Sequence, residues 1–124
     1  MSLSDYELGW LVGILEGEGS FALQNRTQNV TVEMCDEDTI NRVAVLFERL
    51  TGTPIEIREV APAKSHWSYS YKVVVYGENA RTIMLYVVRH MMFRRRKRIW
   101  QSLNRYKPKK IKLNLVRPNL KVVA

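Results

Sequence analysis

Hydrophobic and polar positions divide the chain into a short series of elements. Ser4-x-x-Glu7 has the spacing of a capping box, in which the two side chains and two main-chain amides satisfy each other. It opens a helix that carries the apolar run of residues 8–15 and ends near Glu16, where the glycines of Glu16-Gly17-Glu18-Gly19 predict a turn. Period-two alternation follows. Phe21 and Leu23, then Val30, Val32 and Met34, alternate with Ser20, Ala22, Gln24, Asn29, Thr31 and Glu33, and a polar turn at residues 26–28 lies between. This is a hairpin with one apolar face. Asp36-Glu37-Asp38 starts a second helix with acids where the helix dipole favours them. Ile40, Val43, Phe47 and Leu50 form its buried stripe, and Gly52 with Pro54 ends it.

The remaining pattern repeats the theme. Ile55 and Ile57 alternate with Glu56 and Arg58; after a loop at residues 61–65, residues 66–76 predict the longest strand. Trp67, Tyr69, Tyr71, Val73 and Val75 share one face of it, and His66, Ser68, Ser70 and Lys72 the other. Gly77 breaks this strand, and Asn79 is positioned to cap a third helix over about residues 80–90, with Ile83, Val87 and Met91 inward. Met84, Met91 and Met92 read as core filler. Ile99, Trp100 and Leu103 then recur at helical spacing behind a basic run, residues 94–98. The expected fold is α+β: helix, hairpin, helix, hairpin, helix, with a four-stranded antiparallel sheet, helices on its apolar face and an open polar face. Residues 1–106 form the domain and residues 107–124 a basic tail.

Charge changes this picture by naming a partner. Residues 1–93 carry 8 Lys/Arg and all 12 Asp/Glu, whereas residues 94–124 carry 12 Lys/Arg and no acid. Such an asymmetry suits a polyanion, nucleic acid before membrane, and a solvated basic tail is the bland alternative. The open face, rich in Ser, Thr, Asn and Gln, suits reading of base edges in a major groove about 12 Å wide. Cys35 is the only cysteine, so no intrachain disulfide or Cys/His zinc set is expected. The apolar run at 8–15 is far shorter than the ~20 residues of a membrane helix. These features favour an intracellular, reducing compartment with access to DNA, and no secretion.

Two features of the first helix call for chemistry. Gly9, Gly13 and Gly17 lie four apart, and each costs about 1 kcal/mol against alanine in a helix interior. Close approach of a second backbone would compensate, either from the same subunit or from the same helix of a second copy. The acids Glu16 and Glu18 do not fit a dinucleotide cradle, because Gly17-x-Gly19-x-x-Ala22 follows a helix and precedes a strand. Carboxylate and main-chain oxygens suit Mg²⁺, Mn²⁺ or Ca²⁺.

At this point residues 11–21, LVGILEGEGSF, resemble the signature of LAGLIDADG homing endonucleases. Val12 stands at the second motif position, which is usually small, and both acids are Glu rather than Asp. The resemblance covers about residues 5–106. It implies that motif helices of two copies pack through Gly9, Val12, Gly13, Glu16 and Gly17. It gives Glu18 the catalytic metal, Gly17 an auxiliary carbonyl ligand and Glu16 a supporting role. Asp36 and Arg95 correspond to positions around the scissile phosphates, with Arg94 and Arg96 as neighbours. It further implies a Mg²⁺-dependent homodimer making a double-strand break in a long pseudo-palindromic DNA site, with Mn²⁺ able to substitute and Ca²⁺ supporting binding without cleavage. The DNA-contacting set is then Ser20, Ala22, Gln24, Arg26, Asn29, Thr31, Glu33, Glu56, Arg58, His66, Ser68, Ser70, Lys72, Arg94, Arg96, Lys97 and Arg98. A second reading keeps the scaffold without the chemistry, as an intron-RNA splicing cofactor or a transcriptional regulator. A small ribosome-associated basic protein is a third.

Overall fold

A computed structural model describes residues 2–64, 66 and 68–106, and the tail at 107–124 lies outside the described residues. Helix α1 (Asp5–Glu18) opens with the capping box: the Ser4 hydroxyl accepts from the Glu7 amide and the Glu7 carboxylate from the Ser4 amide. It does not stop at Glu16. The Gly19 amide still donates to the Leu15 carbonyl, which carries the helix through Glu18 and directly into strand β1 (Gly19–Gln24). No turn intervenes. A Cβ on Gly19 would lie 2.8 Å from the Leu15 carbonyl oxygen, so only glycine permits this junction.

A turn with positive φ at Asn25 and Arg26 leads to β2 (Thr27–Met34). Helix α2 (Glu37–Thr51) follows and is closed by Gly52 in the left-handed conformation. Next come β3 (Ile57–Val60) and β4 (Ser70–Tyr76), then α3 (Gly77–Val87), a 3₁₀ turn at Val88–His90, and α4 (Phe93–Tyr106). The sheet is antiparallel throughout, in the order β1-β2-β4-β3, so the two hairpins join through β2 and β4.

Three boundaries after the first hairpin also differ from the sequence reading, each for a backbone reason. The fourth strand begins at Ser70 rather than 66, because no neighbour reaches further: Val60 pairs with Ser70 before Pro62 interrupts, and Met34 pairs with Tyr71 before the chain turns into α2. Ile55 lies outside β3 because its amide donates to the Glu48 carboxylate, 2.9 Å away. Helix α3 starts at Gly77, with Tyr76 as N-cap instead of Asn79, since the positive φ of Gly77 turns the strand straight into a helix.

The core lies between the sheet and the helices. Leu11 and Leu15 of α1, Phe21, Val30, Val32 and Val73 of the sheet, and Ile40, Val43, Phe47, Ile83 and Met84 of α2 and α3 are buried in one cluster. Full burial of each large side chain contributes about 1.5–3 kcal/mol. Polar ties fix α1 on this core. Arg49 of α2 grips Glu7 through both nitrogens at 2.7 and 2.9 Å, and Arg42 lies over the Trp10 ring. This holds the Glu7 carboxyl at about 2, below its usual 4.5, chiefly through Arg49 and then the Ser4 amide.

Candidate functional site

The acid end of α1 is an unfavourable place for carboxylates. Free carbonyls give a helix C-terminus partial negative charge, yet the last turn holds Glu16 and Glu18 and no basic residue. Compensation arrives from α4. Arg95 donates through Nε to the Glu16 carbonyl at 3.1 Å and through Nη1 to the Gly19 carbonyl at 2.5 Å. The Glu16 carboxylate accepts from the Met92 amide, which ties the start of α4 to the same corner. Glu16 and Arg95 therefore shape the end of α1. Glu18 is exposed, and among the described residues its carboxylate has no hydrogen-bond or ion-pair partner. Its negative charge at the negative end of a helix favours a cation.

An oxygen donor such as the Glu18 carboxylate is of the kind a hard divalent ion takes. Glu18 supplies a free carboxylate oxygen, and magnesium sites commonly take one or two carboxylates, with water and phosphate oxygens completing the shell. Among the described residues no three His, Cys, Asp or Glu side chains converge. Asp36, expected near a scissile phosphate, is the N-cap position of α2, and its carboxylate accepts from the Thr39 hydroxyl at 2.6 Å. The single cysteine, Cys35, is exposed beside it.

The register assembles most of the expected contact residues on one sheet face. Ala22, Asn29 and Tyr76 form one row, Ser20, Thr31 and Val74 the next, and Glu33, Lys72 and Arg58 the third. Ser20, Gln24, Glu33, Arg58 and Tyr76 are exposed. Two internal hydrogen bonds order it: Asn29 Nδ2 donates to Gln24 Oε1 at 3.1 Å, and the Ser70 hydroxyl to the Glu33 carboxylate at 2.6 Å. With one acid and two bases across three strands, the face is suited to hydrogen-bonded recognition. Arg26 sits in the β1–β2 turn, Glu56 just before β3, and His66 and Ser68 in the β3–β4 connection rather than on the strand.

Helix α4 separates its basic residues. Arg94, Lys97 and Arg98 are exposed, with no ion-pair partner among the described residues. Arg96 does not join them. It is buried, and donates through Nε and Nη2 to the Met91 carbonyl at 3.2 and 2.7 Å. Its spacing to Ile99 and Leu103, three and seven residues on, puts it on the buried stripe of the helix, and that signal was available in the sequence.

The glycines of α1 line an exposed strip. A Cβ built on Gly9, Gly13 or Gly17 meets nothing within 4 Å, so no packing among the described residues requires them. Val12 and Glu16, beside this strip, are half-buried, and Tyr6 at its start is exposed.

Sequence reasoning missed the lock that holds α4 to the first hairpin. Gln28, assigned to a turn, lies in β2 and is buried; its Nε2 donates to the Ser102 carbonyl, and the Ser102 hydroxyl donates to the Ala22 carbonyl, both at 3.3 Å. Gln28 has the parity of Val30 and Val32, which marks it as inward. Compared with models of protein families and with curated proteins, the chain matches none. Among the described residues no helix is long and apolar enough to cross a membrane.

Proposed function

We propose that this protein is a divalent-metal-dependent DNA endonuclease of the LAGLIDADG homing type, acting as a homodimer on a long pseudo-palindromic site. The observation that carries the reading is the end of α1: among the described residues, an unpartnered Glu18 carboxylate at a helix C-terminus, beside an exposed glycine strip where an added Cβ meets nothing. Pairing two α1 helices along Gly9, Val12, Gly13 and Gly17 would use the strip and bring two Glu18 carboxylates to one dyad. Glu18 would hold Mg²⁺ or Mn²⁺, with the Gly17 carbonyl as an auxiliary ligand. A bound divalent cation supplies charge neutralisation at the phosphate and a lowered pKa for the attacking water.

The other residues bind and orient. Arg95 and Glu16 hold the end of α1 against α4, so that Glu18 is presented from a fixed corner. Arg94 and Lys97, exposed on the same helix as Arg95, offer free cations suited to DNA phosphates. The sheet face from Ser20 to Tyr76 reads base edges, with Glu33 able to accept from cytosine N4 and Arg58 able to donate to guanine.

The test is cleavage of a randomised pseudo-palindromic duplex library by the wild type and Glu18→Gln, with Mg²⁺, Mn²⁺, Ca²⁺ or chelator. Double-strand cuts by the wild type in Mg²⁺ or Mn²⁺ but not in Ca²⁺ or chelator, and none by E18Q, support the reading. Wild-type binding that survives chelation, without cutting in any metal, would leave a nucleic-acid-binding protein in its place.

A further inference from the structure

A cleft of about 260 Å³ opens between β1 and α4, away from Glu18. It is lined by Phe21, Ala22, Leu23 and Gln24 of β1 and by Arg98, Gln101 and Ser102 of α4. We infer that this cleft takes a backbone phosphate of the nucleic-acid strand as it leaves the open sheet face across the β1 edge. The inference rests on the proposed nucleic-acid function and adds an anchoring site outside the sheet.

Four observations converge on it. The volume lies just under the roughly 300–1,000 Å³ of small-molecule pockets, which suits a compact polar group. The functional groups on the α4 wall include the Arg98 guanidinium and the Gln101 amide, both exposed hydrogen-bond donors. No acidic residue follows Glu78 in the chain, and Arg94, Lys97 and Arg98 lack ion-pair partners among the described residues, so their positive charge on α4 is left for a phosphate. Finally, the walls are fixed relative to each other by the Ser102–Ala22 and Gln28–Ser102 hydrogen bonds. A phosphate held there contacts no base. It sets the register of the strand on the sheet, while Ala22 and Gln24, which belong to both surfaces, join anchor to reading face.

The experiment measures affinity for a duplex of random sequence between 50 and 200 mM salt, the range over which phosphate contacts dominate. Arg98→Ala should reduce the magnitude of the log K against log[salt] slope by about one per subunit. Gln101→Trp fills the cleft without changing charge and should weaken binding about tenfold. Arg89→Ala, an exposed cation on the 3₁₀ turn, is the control and should leave the slope unchanged. Normal affinity in Q101W, or an unaltered slope in R98A, overturns the inference while the endonuclease proposal stands. A wild type that binds no duplex overturns both.

Discussion

Gly13→Ala separates a glycine kept for a partner from one kept by accident. Among the described residues of the protomer the new methyl group meets nothing within 4 Å, and Gly13 lies well inside α1. Alanine is better than glycine in a helix interior by about 0.8–1.0 kcal/mol. A monomer should therefore gain about 1 kcal/mol, which raises the melting temperature by about 4–8 °C in a domain near 100 residues. A symmetric α1–α1 pairing reverses the sign. Each added Cβ then points at a facing backbone, the helices must separate, and the complex loses more packing than each helix gains. The assay is thermal denaturation over a wide range of protein concentration, with sedimentation velocity on the same samples. The expected result is a crossing: G13A melts above the wild type when dilute and below it when concentrated, with a shift towards monomer mass. If G13A melts higher at every concentration and its association matches the wild type, the glycine strip does not face a second copy.

Other consequences are quick to check. Glu18→Gln should leave urea stability within about 0.5 kcal/mol, since the side chain is exposed and unpartnered, while abolishing cleavage and sparing DNA binding in Ca²⁺. Arg95→Ala removes two hydrogen bonds from a charged donor to main-chain carbonyls and should cost about 2–3 kcal/mol in urea denaturation. A cost under about 0.5 kcal/mol would mean that Arg95 does not hold the end of α1. The Glu7 carboxyl is lower in the folded state than in the unfolded one, so its contribution is present above about 4.5 and is lost as pH falls towards about 2. Arg49→Ala should raise the Glu7 titration midpoint, followed by carboxyl-carbon NMR, and remove that dependence.

Elements with strong periodicity were readable from the sequence. The 4-x-x-7 capping box, the alternation through Phe21 and Val32, and the stripe Ile40–Val43–Phe47 each report a local preference that agrees with the fold. What escaped depends on partners distant in sequence. The glycines of residues 16–19 signalled a turn, but Arg95, 79 positions after Glu16, takes the carbonyl that a turn would have exposed. Residues 66–69 alternate like a strand, yet β2 and β3 both end before reaching them. For the candidate site, the open-face residues followed from parity alone. The burial of Arg96 followed from its spacing to Ile99 and Leu103, but Arg95 as the cap for α1 required knowing which side of α4 faces β1.

The seamless passage from α1 to β1 at Gly19 makes the helix and the sheet a single lever. With the strand starting where the helix stops, and Arg95 bridging the two sides of the joint, there is no hinge to absorb a tilt. In a dimer built on α1, the crossing angle of the helices would therefore set both the spacing of the two Glu18 carboxylates and the splay of the two sheets. Cut stagger and target length would then change together under substitution at the helix interface, and neither could drift alone.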